Sequence, residues 1–165
     1  MIRHAGLIAL RLNGRWAGAL IEGASGVGKS DLALRALDSG FRLVADDRTL
    51  VWASGGALFG RAPEPLAGLI EARGYGILRE TPLAYAEIML VARCVEPPEA
   101  AERMPENASE SLVGVPVPRL DLNPLEASAP AKLRRALEHL GAAAQQAYQA
   151  ASLGGPGRAG TGDTL

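Results

Sequence analysis

Hydrophobic and polar positions near the start of the chain alternate in the manner of two short strands. Apolar residues recur through positions 7–12 and again through 16–22. Asn13-Gly14 between them is a strong signal for a two-residue turn. The pattern therefore predicts a β-hairpin.

A helix is predicted shortly after the second of these strands. The strand runs directly into residues 23–30, which read Gly-Ala-Ser-Gly-Val-Gly-Lys-Ser. Residues 31–39 then carry leucines and alanines among helix formers, and Gly40 is a typical glycine cap. Short strands follow at 41–45, 48–53 and 57–61. Strands on both sides of a helix indicate an α/β fold with a sheet and flanking helices.

Prolines and glycines punctuate the remaining residues. Pro63 and Pro65 precede a predicted short helix at 66–72, which ends at a glycine-rich turn. Beyond it we predict a strand at 86–95 and an acidic proline-containing loop at 96–111. A second strand is predicted at 113–122, and its prolines confine it to a sheet edge. A helix is predicted from 128 or 129 to about 150, with an apolar stripe that packs on the sheet. The Gly-rich residues 151–165 are predicted to be disordered, so we expect residues 1–150 to form a single domain.

Composition narrows the class of protein. With 48% hydrophobic residues the chain can build a core, and its formal net charge of −1 argues against a general nucleic-acid binder. The lone Cys94 cannot form an internal disulfide, and the sequence shows no signal peptide and no apolar run long enough for a membrane span. We therefore expect a cytoplasmic protein. Lys29 and Lys132 are its two lysines beside 15 arginines, so a lysine in the glycine-rich segment is conspicuous.

The glycine-rich segment matches the phosphate-binding pattern G-x-x-x-x-G-K-[ST] in full, between a strand and a helix as that pattern requires. Backbone N–H groups of such a loop bind a polyphosphate, a lysine reaches the β- and γ-phosphates, and a hydroxyl takes one position on Mg²⁺. The bland alternative is a glycine turn that merely joins strand to helix. The residues predicted to bind ATP are Gly23, Ala24, Ser25, Gly26, Val27, Gly28, Lys29 and Ser30.

Two adjacent carboxylates end the strand that follows this helix. In a parallel sheet Asp46 and Asp47 would lie at the edge that carries the phosphate loop. Neighbouring residues of a strand point to opposite sides, so one carboxylate can face a metal while the other faces a phosphoryl acceptor. Two close carboxylates also discourage each other's ionisation, which suits one of them to proton transfer. An Asp-Asp turn that only caps the strand is the alternative.

Other polar residues carry weaker signals. His4 by itself is typical of a surface histidine. Glu71-Ala72-Arg73-Gly74 is either a helix end with a glycine cap or a contact to metal and phosphate. Arg103 is either directed at a phosphate or simply solvated. The spacing alone leaves these alternatives open.

Taken together, the motifs resemble the catalytic domain of HPr kinase/phosphorylase, the bacterial enzyme that acts on a seryl residue of the phosphocarrier protein HPr. The resemblance covers roughly residues 2–122. It rests on His4-Ala5-Gly6, on the phosphate loop with the Asp31-Leu32-Ala33-Leu34 that follows, on the segment 40–47 ending in Asp46-Asp47, and on the segment 70–77 that contains Glu71. It implies a P-loop kinase fold with a mixed sheet and flanking helices, which is also similar to the nucleotide site of phosphoenolpyruvate carboxykinases.

The resemblance also implies roles for individual residues. Asp47 would be the general base for the serine hydroxyl and the acid in the reverse reaction, and Asp46 would orient His4 and assist the metal site. Ser30 and Glu71 would serve Mg²⁺, and Arg103 would lie near the transferred phosphate. The implied activity is transfer of the γ-phosphoryl group of ATP to HPr. The resemblance also implies dephosphorylation of HPr by phosphorolysis, in which inorganic phosphate takes up the phosphoryl group and leaves as pyrophosphate.

Two departures from the family pattern affect assembly and regulation. Usual members carry a separate N-terminal domain, whereas this chain begins almost at the catalytic domain. The helical region that contacts HPr and forms oligomers is shortened and replaced by residues 129–150. The family forms hexamers, so self-association is one expectation. A small-metabolite kinase and an ATP-sensing module without transferase activity are the competing hypotheses.

Overall fold

A long hairpin forms the centre of the fold. The structure is a computed structural model that describes residues 1–97 and 108–140. Strand β2 (Ala5–Leu12) pairs antiparallel with β3 (Arg15–Glu22) over their full length. Positive φ angles at Asn13 and Gly14, 49° and 78°, give the turn the backbone twist that the flanking strands need. The predicted hairpin is confirmed.

Within the described residues, nine strands form one mixed sheet in the order β1-β5-β6-β9-β3-β2-β4, with β11 beside β9 and β10 beside β11. Two further strands, β7 and β8, form a separate antiparallel ribbon. The other strands are β1 (Ile2–Arg3), β4 (Arg42–Ala45), β5 (Thr49–Ser54), β6 (Ala57–Arg61), β7 (Leu69–Ala72), β8 (Gly76–Arg79), β9 (Ala86–Cys94), β10 (Ala108–Leu112) and β11 (Val115–Leu122). The helices are α1 (Lys29–Leu37) and α2 (Ala129–Glu138).

The directions of the central strands bring the ends of three strands to one edge of the sheet. Strand β2 is antiparallel to both β3 and β4, so β3 and β4 run the same way with β2 between them. The end of β3, the end of β4 and the start of β2 therefore meet at the same edge of the sheet. The predicted position of Asp46 and Asp47 at the edge that carries the phosphate loop is confirmed, because β3 and β4 run in the same direction although the antiparallel β2 lies between them.

The hairpin is buried on both faces. Ile8 and Ile21 pack against the two helices, through side chains such as Leu32 and Leu133. On the opposite face the sheet curls so that β5 and β6 cover the next residues of each strand; the residues packed there include Leu7, Leu20, Val51 and Leu58. Burial on both faces explains why these strands read as nearly continuous apolar runs. The predicted α/β class with a mixed sheet is confirmed, and the stripe of α2 packs on the sheet as expected.

The helix predicted at 66–72 is wrong. A single 3₁₀ turn spans Glu64–Leu66, Gly68 then takes a φ of +77°, and β7 begins at Leu69. A left-handed residue ends any helix, and the Gly68 carbonyl accepts a hydrogen bond from the Glu80 N–H across the ribbon at 2.8 Å. Pairing with β8 therefore overrides the local helical spacing.

Two predictions near the C-terminal half need correction. Part of the expected loop at 96–111 is strand, because β10 begins at Ala108 and pairs with β11. The predicted edge position is confirmed only for the first half of β11, where Pro116 and Pro118 lie and where the strand pairs with β10 alone. The second half, Arg119–Leu122, pairs with β9. Residues 98–107 lie outside the described residues, as do the end of the helix predicted to reach 150 and the tail at 151–165. No helix in the described ranges is long and apolar enough to cross a membrane.

Gly18 gives a direct test of the sheet packing. A Cβ there would lie 2.5 Å from the Glu87 carbonyl oxygen, whereas a Cβ at Gly6 would meet no atom closer than 3.5 Å. Because a backbone carbonyl cannot swing aside, Gly18→Ala should lower the free energy of unfolding by about 2 kcal/mol. The matched change Gly6→Ala should move it by about 0.5 kcal/mol or less. Urea unfolding followed by circular dichroism measures both, and equal effects would contradict the close approach of β3 and β9.

Candidate active site

The phosphate loop has the shape that its glycines permit. Gly23, Gly26 and Gly28 have φ angles of 154°, 79° and 114°, a region that favours glycine. A Cβ on Gly23 would also lie 3.0 Å from the Cβ and the carbonyl oxygen of Cys94 on β9. The loop ends where α1 starts at Lys29, so its N–H groups and the positive end of the helix converge. The predicted strand, loop and helix are confirmed.

Lys29 curls back over the loop. Its side chain is buried, and Nζ donates hydrogen bonds to the carbonyl oxygens of Gly23 at 2.8 Å and Ala24 at 3.0 Å. An ammonium carries three donors, so these two bonds hold Nζ inside the curve of the loop and leave donor capacity for an anion. Lys29 thus fixes the loop and supplies the charge within it.

Cys94 lies behind the loop in the core. Burial raises the pKa of its thiol to about 11, with the charge of Lys29 acting in the opposite direction. A thiol with this pKa stays protonated at neutral pH and is a poor nucleophile. Cys94 is therefore part of the hydrophobic core behind the loop.

Asp46 joins three elements at the sheet edge. Its carboxylate is buried and accepts hydrogen bonds from the Ser30 hydroxyl at 2.8 Å and the Glu71 backbone N–H at 3.0 Å. The hydrogen bond with Ser30 connects Asp46 to α1, and the hydrogen bond with Glu71 connects it to β7. Burial raises the pKa of Asp46 above its ordinary value of 3.8; the two hydrogen bonds oppose that rise, and the charge of Asp47 adds to it. The expected repulsion between the two carboxylates is therefore present, but burial is the larger cause.

Asp47 turns away from Asp46 and faces the open side. Its φ of +66° places it in the left-handed region, which an aspartate tolerates in a tight turn, and the Arg48 N–H bonds the Asp46 carbonyl at 2.7 Å. The two carboxylates therefore diverge because of this turn and not because of strand alternation. The Asp47 side chain is 55% exposed.

His4 is hydrogen-bonded to Asp47. The Nε2 atom of His4 lies 2.7 Å from Oδ1 of Asp47, since β2 starts at the same edge where β4 ends. The expectation that Asp46 orients His4 is wrong, because Asp46 is turned inward toward Ser30 and Glu71. Arg48 Nε is 3.8 Å from the second oxygen of Asp47, so this carboxylate has a cation or an imidazole near each oxygen.

These residues surround one cavity of about 530 Å³. That volume lies within the usual range for a small-molecule site. The predicted residues His4, Asp47 and Glu71 line it together with the loop, whereas Asp46 reaches it through Ser30; the full lining comprises His4, Ser25, Gly26, Val27, Gly28, Lys29, Ser30, Asp31, Asp47, Glu71, Arg73 and Leu125. Arg103 lies outside the described residues.

Oxygen donors suited to Mg²⁺ are present at this edge. Ser30 and Asp46 are hydrogen-bonded to each other, the pairing of a loop hydroxyl with a strand-end aspartate that holds Mg²⁺ in P-loop enzymes, and Glu71 lines the same cavity. The described residues contain no group of three or more His, Cys, Asp or Glu side chains placed to hold a metal by themselves. Mg²⁺ usually takes one or two carboxylates and completes its shell with water and phosphate, so this donor set fits it.

Leu125 and Asp31 line the cavity and were not predicted as site residues, and neither was Arg35, which supports them. Leu125 lines the cavity from the loop before α2, and Arg35 of α1 holds that loop by donating to the Glu126 carbonyl at 3.1 Å and to the Pro124 carbonyl. Asn123-Pro124 marks a turn, but no pattern in the sequence relates this turn to a helix about 90 residues earlier.

Comparison with known proteins gives one consistent result. Residues 10–123 match the family model described as HPr Serine kinase C-terminal domain. An HPr kinase/phosphorylase of Streptococcus thermophilus is 36% identical over 148 residues, which are 83% of this chain and 46% of that protein. One from Clostridium beijerinckii is 46% identical over 66 residues, 40% of this chain and 22% of that protein. The chain thus spans less than half the length of these curated relatives.

A solved structure shares the fold. The Hpr(Ser) kinase/phosphatase of Coxiella burnetii superposes with a TM-score of 0.69 and 22% identity, over 93% of this chain and 97% of that one. At this identity the likeness concerns the fold: a mixed sheet with the phosphate loop between a central strand and a helix.

Asp46 gives a pH test of this arrangement. Because its pKa is raised in the folded state, the folded protein binds more protons than the unfolded chain just above pH 3.8, and the free energy of unfolding falls as pH rises through this range. Asp46→Asn removes that titration. The unfolding free energy of the variant minus that of the wild type, measured in urea with EDTA, should therefore increase with pH from about 3.5 upward. A difference that is independent of pH would contradict the burial of an ionisable Asp46.

Proposed function

Because the chain belongs to the HPr serine kinase C-terminal domain family, we propose that it is an ATP- and Mg²⁺-dependent serine kinase that phosphorylates HPr. The observation that carries this proposal is the position of Asp47. Its half-exposed carboxylate, held by His4, opens onto the same cavity as the phosphate loop. A protein substrate can reach this carboxylate from solvent, and a bound nucleotide would lie beside it.

Asp47 is proposed as the general base. Its carboxylate would accept the proton of the seryl hydroxyl as the oxygen attacks the γ-phosphoryl group, and it would return the proton in the reverse direction. His4, 2.7 Å away, positions the carboxylate and is itself half exposed, so it remains accessible to the acceptor. Attack through a positioned base accounts for the placement of both residues at the mouth of the cavity.

The remaining residues position the nucleotide. Lys29 and the loop N–H groups would bind the β- and γ-phosphates. Ser30, Asp46 and Glu71 would hold Mg²⁺, and Asp46 keeps Ser30 in place through its 2.8 Å hydrogen bond. Bound Mg²⁺ would neutralise charge on the phosphoryl oxygens. Most of the rate enhancement in such a site comes from positioning and charge neutralisation.

Several further features belong to the same proposal. Phosphorolysis of phosphorylated HPr by inorganic phosphate would use Asp47 as the acid. Arg103 is proposed near the transferred phosphate, and residues 1–150 are proposed as one catalytic domain with a tail at 151–165. Self-association is proposed because the family forms hexamers. We propose that the reaction takes place in the cytoplasm.

The first test is phosphotransfer to HPr. Incubation of HPr with this protein, ATP and Mg²⁺ should add one phosphoryl group to a serine, as measured by intact mass and peptide mapping. Lys29→Ala should abolish the addition, because the phosphates lose their cation within the loop. The matched control Lys132→Ala removes the other lysine of the chain, whose ion pair with Glu126 is exposed, and should keep the rate within about twofold.

Binding of ATP without any mass change on HPr would contradict the proposal. It would favour the small-metabolite kinase or the ATP-sensing module, which ATP turnover in the presence of candidate metabolites separates.

The second test separates the base from its positioning residue. Asp47→Asn should lower kcat for HPr phosphorylation by at least about 100-fold, because the amide cannot accept the seryl proton. His4→Gln, which keeps a polar side chain near Asp47, should lower kcat by about tenfold. ATP affinity, measured by calorimetry, should stay within about threefold for both variants. A kcat for Asp47→Asn close to that of wild type would assign the base elsewhere.

A further inference from the structure

The loop before α2 brings an apolar side chain to the phosphate site. Leu125 is 68% exposed and lines the cavity beside Gly28. A Cβ built on Gly28 would lie 3.0 Å from Cδ2 of Leu125 and 3.6 Å from Cγ of Pro124. The loop therefore packs directly on the last turn of the phosphate loop, yet most of the Leu125 side chain faces solvent.

The position of Leu125 is fixed by Arg35 in the last turn of α1. Arg35 donates to the carbonyl oxygens of Pro124 and Glu126, and its Nε bonds Asp31 at 2.9 Å on the same helix. Within the loop, the Leu125 N–H bonds the Asn123 side-chain oxygen at 3.0 Å. The exposure of Leu125 is therefore imposed by a rigid support and does not reflect a free loop.

Leu125 and the proposed base lie on different sides of α1. Ser30 points from the start of the helix to Asp46, whereas Arg35 points to the loop that carries Leu125. Five residues along an α-helix rotate a side chain by about 140°, so the carboxylates and Leu125 flank the helix start from nearly opposite directions. The side near Ser30 thus carries Asp47, whereas the side near Arg35 carries Leu125 together with Asp31, whose carboxylate is paired with Arg35.

We propose that Leu125 packs against the purine ring of the bound nucleoside triphosphate. This inference rests on the proposed function, in which the γ-phosphate lies beside Asp47. A triphosphate is a linear chain, so the nucleoside must leave the phosphate loop on the side away from Asp47, where Leu125 is. Apolar contact from a preformed wall favours an aromatic base. The carbonyl oxygens of Pro124 and Glu126 and the N–H of Leu125 already form hydrogen bonds within the protein. The proposed contact with the base is therefore one of packing, which discriminates weakly between adenine and guanine.

The test compares nucleotides with a ligand that lacks a base. Leu125→Ala should weaken ATP about tenfold and leave tripolyphosphate within about twofold, as measured by calorimetry with Mg²⁺ on the full chain. Leu125→Met, which restores apolar volume, should recover ATP affinity to within about threefold of wild type. ATP and GTP should bind to the wild type within about fivefold of each other.

The control is Val113→Ala. Val113 is 48% exposed in the turn between β10 and β11 and does not line the cavity, so the change should leave both ligands unaffected. Equal weakening of ATP and tripolyphosphate by Leu125→Ala would overturn the inference and assign Leu125 to support of the phosphate loop. Unchanged affinity for both ligands would also overturn it. If the affinities change as expected but no phosphoryl group is transferred to HPr, the proposed function is overturned, whereas the contact of Leu125 with the base is retained.

Discussion

The buried carboxylate of Asp46 is the contact on which the site depends. It ties the first residues of α1 to the end of β4 through Ser30 and to β7 through the Glu71 N–H. Removal of a carboxylate from water is costly and raises the pKa of Asp46, and these hydrogen bonds act against that rise. The same bonds hold the oxygens that are proposed to bind Mg²⁺. Asp46, which is not the proposed base, therefore determines the geometry of the site.

The adjacent aspartate is free to do chemistry because the backbone turns between the two. The left-handed conformation of Asp47 sends its side chain to the mouth of the cavity, where His4 meets it. The inserted antiparallel strand β2 makes this meeting possible, since its first residues arrive at the edge where β3 and β4 end. The topology thus brings His4 to Asp47, and a single unusual φ angle turns the carboxylate of Asp47, the proposed base, toward the cavity.

The cavity has a different chemical character on each side of the helix start. Carboxylates and a histidine lie on the side where transfer to the acceptor is proposed, and Leu125 lies on the other together with Asp31, whose carboxylate is paired with Arg35. Arg35 connects this apolar wall to the helix that carries Lys29 and Ser30, so the phosphate loop and the wall share one rigid support. A nucleotide bound there would be oriented by packing at one end and by charge at the other.

The sequence by itself determined the hairpin, the phosphate loop with its helix, and the strand that ends in Asp46-Asp47, because each depends on neighbouring residues: a turn dipeptide, a glycine pattern and an apolar run. It failed at 66–72, where local spacing is helical but pairing with β8 makes a strand. The family resemblance joined His4 to the wrong aspartate, and nothing in the sequence pointed to Leu125. The contact of His4 with Asp47 and the position of Leu125 were decided only by the tertiary structure, because hydrogen bonds and packing between residues tens of positions apart leave no periodic signal in the chain.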